Sequence, residues 1–364
     1  VTQLDLQIQD QHRPRLRALG FTPAREQEFA AYSAAGREPA RVAVAHRGSL
    51  GLITASGETS AVIAGRLHHD ADSASDLPVV GDWVAFDAHG GVVHAVLART
   101  GAITRAAAGE SGDPQVLAAN VDVALVVTSF NHDLNVRRLE RFLALAHAGG
   151  AMPVVVVNKA DLVDDPAAAL DAIRSVVSPA PVLATSTVLP LGIDELAASV
   201  PAGETAVLLG TSGVGKSSLT NALIGEARQA VSEIRLDDSR GRHTTTRREL
   251  VALPGGGWLI DTPGLRVPRL WAEADGVEAT FVIIDALASQ CRFNDCAHDG
   301  EPGCAVEAAI DAGEIDPARV EAYRKLLAER RSMAEREDAR GRAARKARGR
   351  AGVQALRRYY ASRD

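Results

Sequence analysis

The sequence predicts a multidomain protein in three parts: a small N-terminal β-barrel, a central α/β domain, and a C-terminal segment that joins a cysteine cluster to basic helices. Three observations predict it. Between Arg41 and about Ala108, short alternating apolar segments are separated by Gly- and Asp-rich turns. From Asn120 onward, apolar β-branched runs alternate with amphipathic stretches, the pattern of a sheet covered by helices on both faces. All three cysteines of the 364-residue chain fall between Cys291 and Cys304.

Composition sets the outer bounds. Hydrophobic content of 46% and charged content of 24% are those of an ordinary globular protein of two or three domains. The longest apolar runs, Val121 to Val127 and Pro153 to Val157, are far too short to span a bilayer. The first twenty residues include Asp5, Asp10 and several Arg without an apolar core, so no signal peptide is expected and a cytoplasmic protein is. A monomer is expected. The net charge of -6 hides an asymmetry: residues 319–364 hold 15 Lys and Arg against 6 Asp and Glu, leaving 25 against 40 in the rest. A basic tail on an acidic body points to a polyanionic partner, the plain alternative being a solvated Arg-rich helix.

Residues 1–40 read as a polar leader with one short helical stretch. Residues 41–112 hold the barrel, with Val42–Ala45, Ser60–Ala64, Asp82–Phe86 and Gly91–Val96 among five expected strands, a number and spacing that suit an OB-fold. Residues 113–280 form the α/β domain. Its strands are Val121–Thr128, Pro153–Val157, Val182–Ala184, Thr205–Leu209, Arg247–Leu253 and Trp258–Ile260. Helices are expected over Asn135–His147, Pro166–Val177, Ile193–Ala198 and Lys216–Ile224. Residues 281–364 complete the chain as a zinc-binding domain with a basic helical tail.

The chemistry lies in the loops. Gly210-Thr211-Ser212-Gly213-Val214-Gly215-Lys216-Ser217 fits the G-x-x-x-x-G-K-[ST] pattern between a strand and a helix, and Ser218 continues it. Glycines there let backbone N–H groups turn toward phosphates, Lys216 is placed for the β- and γ-phosphates, and Ser217 for Mg²⁺. Asp261-Thr262-Pro263-Gly264 follows a strand, with Asp261 on the magnesium side and the Gly264 N–H toward the γ-phosphate. Asn158-Lys159-Ala160-Asp161 also follows a strand. A carboxylate at Asp161 accepts two hydrogen bonds from guanine N1–H and its exocyclic amine, a pattern adenine does not offer, and the Lys159 stem can cover the base. Ser186 and Thr187, in Ala184-Thr185-Ser186-Thr187, sit where a backbone N–H meets guanine O6. Only four of the 40 basic residues are Lys, and two of them are Lys159 and Lys216.

The order of these loops is unusual. An ordinary GTPase places the phosphate loop first and Asn-Lys-x-Asp last; here Asn158–Asp161 precedes Gly210–Ser217. Between the phosphate loop and Asp261 lies Arg240-Gly241-Arg242-His243-Thr244-Thr245-Thr246, where Thr245 is expected to complete the magnesium shell. Leu265 stands where many GTPases have a water-orienting Gln, leaving His243 as the nearest candidate for that task. Farther on, Cys291, Cys296, His298 and Cys304 offer three thiolates and an imidazole, a full tetrahedral set for one structural zinc ion.

These residues together resemble the RsgA/YjeQ family of circularly permuted GTPases. The resemblance covers nearly the whole chain, from Pro78-Val79-Val80-Gly81-Asp82-Trp83-Val84 through the loops above to Cys291–Cys304. It implies an N-terminal OB-fold, a permuted GTPase domain and a C-terminal zinc domain. It also implies a factor in late maturation of the small ribosomal subunit, contacting that subunit and its rRNA, whose slow hydrolysis of GTP to GDP the subunit stimulates. In the resemblance His243 serves hydrolysis. Two other functions fit parts of the pattern: an RNA-binding protein that uses GTP as a regulatory ligand with negligible turnover, and an ATP-using P-loop enzyme, which Asp161 disfavours.

Overall fold

The computed structural model describes residues 12–46, 48–106, 114–130, 135–177, 179–189, 191–225, 248–261, 275–332 and 335. They form two compact units, Val1–Leu270 and Trp271–Asp364.

The first unit begins with two helices, α1 over residues 12–18 and α2 over Pro23–Ala34. The Thr22 hydroxyl accepts from the Arg25 N–H and Pro23 opens the first turn, a standard start signal. Five strands and a short helix follow: β1 Glu38–Ala45, β2 Leu50–Thr54, β3 Gly57–Ile63, helix α3 Gly65–Asp70, β4 Trp83–Asp87 and β5 Val92–Val96. The order β1-β2-β3-β5-β4 is closed by pairing of β4 with β1, so the sheet forms a barrel with β3 and β5 parallel. Alternation along β2 buries Leu50 and Leu52 with Val42, Val84, Phe86 and Val93 inside. The leader is not merely polar: Leu16, Leu19, Phe21 and Phe29 pack against Trp83 and Ala85, with the Phe21 and Trp83 rings 4.7 Å apart.

The α/β sheet comprises β8 Val123–Ser129, β9 Met152–Asn158, β10 Val182–Ala184, β11 Thr205–Leu209, β12 Glu249–Ala252 and β13 Trp258–Asp261, in spatial order β10-β9-β8-β11-β13-β12. All pairings are parallel except β12 with β13. Strands β8 and β11 are buried along their whole length, as central strands covered on both faces must be. Helices α4 (Val136–Ala148), α5 (Pro166–Val177), α6 (Ile193–Ala198) and α7 (Lys216–Ile224) alternate with these strands, and a hairpin, β6 Ala102–Ala106 with β7 Pro114–Ala119, precedes them.

The Pro78–Val84 stretch packs the barrel against the end of β7, where the Ala119 N–H donates to the Val80 carbonyl and the Asn120 side-chain amide to the Gly81 carbonyl. Gly81, at φ +94, lies so close to the chain that an added Cβ would sit 2.1 Å from the Ala119 carbonyl oxygen. Asp82, fully buried, accepts from the Val79 N–H and from two nitrogens of Arg99, all at 2.8 Å. The barrel strand β1 then reaches β12 through Val44 and Glu249, so barrel and sheet are hydrogen-bonded neighbours.

The second unit contains helices Asp275–Thr280, Val282–Ala288, Ala305–Asp311 and one over residues 317–332. Val277, Phe281, Ile284, Val306, Val320 and Tyr323 are buried in it. Among the described residues, no helix is long and apolar enough to cross a membrane.

Candidate functional site

The carboxyl ends of β9, β10, β11 and β13 lie on one edge of the sheet, where open α/β sheets bind their ligands. Strand β11 runs into the loop 210–215 and then α7. That loop demands glycine: Gly210 (φ +150) would place a Cβ 2.3 Å from the Val127 carbonyl oxygen, and Gly215 (φ +98) one 2.2 Å from Asn158 Nδ2. Val214 is buried and anchors the loop, while Ser212, Gly213, Ser217 and Ser218 are exposed along the edge. The Lys216 ammonium donates to the Gly210 carbonyl at 2.8 Å and the Thr211 carbonyl at 2.6 Å, and burial lowers its pKa.

The β9 loop is bonded directly to this one. Asn158 Nδ2 donates to the Val214 carbonyl at 2.9 Å, and Lys159 Nζ to the Gly213 carbonyl at 2.7 Å. Lys159 takes a left-handed backbone (φ +62), which turns the chain off the strand and into the short helical turn Ala160–Leu162. The β10 loop supports it from the other side. The Thr185 hydroxyl donates to Asn158 Oδ1 at 3.2 Å, the Ala160 N–H to the Thr185 carbonyl at 3.0 Å, and Ser186 Oγ to Asp161 Oδ1 at 2.5 Å. Ser186 Oγ in turn accepts from the N–H groups of Val188 and Leu189, while Thr187 is exposed. The sequence pattern did not single out Thr185, yet its buried hydroxyl orients Asn158; its place in the Ala184–Thr187 loop was the available signal.

Asp261 ends β13, whose Ile260 is level with Val207 of β11. His243, Thr245 and Gly264 lie outside the described residues.

In the second unit, one donor atom from each of Cys291, Cys296, His298 and Cys304 lies within 4.8 Å of the others. Cys291 Sγ is 3.9 Å from Cys304 Sγ, and His298 Nδ1 is 3.6 and 3.5 Å from those two sulfurs. A tetrahedron with metal–sulfur arms of about 2.3 Å has edges of about 3.8 Å. The donor set therefore fits a metal. His298 takes a left-handed backbone (φ +58), and Glu301 ties the turn by accepting from the Ala297 and Asp299 N–H groups at 2.8 and 2.6 Å. Those two N–H groups, Asp299 first, hold the Glu301 carboxyl down to about 2.

The parallel strand order, with the Asn158–Asp161 strand earlier in the chain than the phosphate-loop strand, defines a circularly permuted P-loop GTPase. The family model described as RsgA GTPase matches residues 96–271. The small ribosomal subunit biogenesis GTPase RsgA of Streptomyces coelicolor is 47% identical over 335 residues, covering 90% of each chain. The chain belongs to the RsgA GTPase family. Its likeness to the protein of that name from Syntrophotalea carbinolica is 45% identity over 325 residues, 86% of this chain and 89% of the relative. The crystal structure of YjeQ from Thermotoga maritima superposes with a TM-score of 0.60 at 27% identity, covering 81% of this chain and 98% of that one.

Proposed function

We propose that this chain hydrolyses GTP to GDP and phosphate in late maturation of the small ribosomal subunit, and that docking on the subunit and its rRNA accelerates the step. One observation carries the nucleotide reading: the Asn158 and Lys159 side chains are hydrogen-bonded to the phosphate loop, so base and phosphate recognition share one framework. The name of the relatives, small ribosomal subunit biogenesis GTPase, supports the setting.

In this reading Asp161, held by Ser186, reads the guanine edge, and the Lys159 stem covers the base. Ser186 and Thr187 carry the backbone toward guanine O6. The N–H groups from Gly210 to Ser218 cradle the phosphates, and Lys216 turns from loop carbonyls to the β- and γ-oxygens. Ser217, Thr245 and Asp261 would hold Mg²⁺, which would supply positive charge against the phosphates. The Gly264 N–H meets the γ-phosphate and His243 orients the attacking water. These last roles, and that of Thr245, rest on sequence position.

The Cys₃His cluster holds one zinc ion in a structural role, because four protein ligands leave no open position. The division into leader 1–40, OB-fold 41–112, GTPase 113–280 and zinc domain 281–364 belongs to the same reading, as does a cytoplasmic monomer whose basic tail contacts rRNA. The test is phosphate release with GTP or ATP over hours, with and without small subunits. Turnover of GTP and not ATP is expected. No GTP turnover even with subunits present would make the nucleotide a regulatory ligand.

A further inference from the structure

Away from the nucleotide edge, one cavity has in its wall two buried guanidiniums that donate only to neutral acceptors. It lies within the Val1–Leu270 unit, where leader, barrel and sheet meet, has a volume of 460 Å³, and is lined in part by Arg17, Arg25, Arg41, Trp83, Asp122 and Glu204. Arg41 is 2% exposed. It donates to the Leu19 carbonyl and the Thr205 hydroxyl, both at 2.5 Å, and its guanidinium lies 5.7 Å from the centre of the Trp83 ring. Its Nε–H is buried without a partner.

Arg25, 5% exposed, donates to the Ala98 carbonyl, the Thr100 hydroxyl and the Asn120 side-chain oxygen. All the acceptors of both guanidiniums are neutral, and neither has a carboxylate within ion-pair distance among the described residues. Burial lowers the pKa of both, that of Arg41 to about 10, while the more distant charges of Asp122 and Asp82 pull both upward, as Glu28 does for Arg25. Of the two carboxylates in the wall, Asp122 accepts from the Thr205 N–H at 2.8 Å, and Glu204 has its pKa raised, by burial and then by Asp122. A buried cation without an adjacent counter-ion is costly to a fold, and here it faces a cavity.

We infer that this chamber binds a phosphate group on the Arg41 and Arg25 guanidiniums, with the exposed Arg17 at its rim. The planar guanidinium fork suits phosphate oxygens. The volume is that of a small-molecule site and exceeds what inorganic phosphate fills, so a phosphate monoester is the better fit. Arg41, which lines the cavity, also donates to Thr205, at the foot of the strand that carries the phosphate loop.

The test is calorimetric titration of the full chain saturated with GDP, which keeps the probes out of the phosphate loop. Inorganic phosphate, ribose 5-phosphate and ribose are the probes. Ribose 5-phosphate should bind once per chain, inorganic phosphate more weakly, and ribose not at all. Arg41→Met should weaken ribose 5-phosphate binding about tenfold or more, and the exposed Arg17→Ala about threefold. If Arg41→Met does not fold, hydrogen exchange on the unaltered protein decides: ribose 5-phosphate should slow amides in 17–25 and 203–206. No saturable binding by either phosphate up to about 10 mM overturns the inference. So does binding that leaves those amides unprotected and is unmoved by Arg17→Ala.

Discussion

Asn158 donates its side-chain amide to the carbonyl of Val214 at 2.9 Å, tying the loop after β9 to the middle of the phosphate loop 56 positions later. The same side chain accepts from Thr185, so one amide joins three loops from three strands. Asn158→Ala leaves a buried carbonyl unpaired, at a cost of about 1–3 kcal/mol. GDP should bind roughly 10–100-fold more weakly, read by titration with a fluorescent GDP analogue, while circular dichroism stays that of the folded chain. Unchanged affinity would mean that the two loops act independently.

Asp161→Asn should reverse the base preference. Guanine then loses a charged acceptor, and its affinity should fall on the order of 10⁴-fold, whereas xanthosine triphosphate should gain. Ser186→Ala, which releases Asp161 Oδ1, should weaken GTP by about tenfold without that reversal. Competition binding with the two triphosphates separates the outcomes.

Two glycines of the phosphate loop separate backbone strain from steric clash. Both have positive φ, but a Cβ at Gly213 meets nothing within 4 Å, whereas one at Gly215 meets Asn158 Nδ2 at 2.2 Å. Thermal unfolding without nucleotide should show Gly213→Ala losing about 1–2 kcal/mol. Gly215→Ala should lose more, because Asn158 must move off Val214.

Metal removal should act locally. Stripping the ion with a chelator, or making Cys304→Ser, should raise hydrogen exchange across 291–311 while the β8 and β11 amides keep their protection. Elemental analysis of the untreated protein should give one zinc per chain.

His147, in the last turn of α4, has its pKa lowered by burial. The folded chain holds the neutral form more firmly than the unfolded chain, so the unfolded state takes up a proton first as pH falls. The stability contributed by neutral His147 is present above pH about 6.5 and is lost as pH falls below it through the folded pKa. Chemical denaturation from pH 8 to pH 5 should show that slope reduced in His147→Gln.

Much of this was legible in the sequence, for physical reasons that differ by region. The central strands read clearly because β8 and β9 are buried on both faces and so appear as unbroken apolar runs. The phosphate loop and the Cys₃His set read clearly because their chemistry restricts residue type. The leader did not. Its buried Leu16, Leu19, Phe21 and Phe29 are scattered among charges, and their shared partner, Trp83, is remote in sequence. The β6–β7 hairpin was also missed, since its strands are short and rich in alanine. At the site, the residue types were readable but their couplings were not. Asn158 to Val214 and Ser186 to Asp161 join positions 56 and 25 apart, which no local pattern marks.

The most direct test of GTP hydrolysis governed by the small ribosomal subunit is the single-turnover rate of phosphate release from GTP, measured on the full chain with and without purified small subunits at low salt. Slow release alone, at least about tenfold faster with subunits and slowing as salt rises, is the predicted result. Equal rates with and without subunits would contradict it.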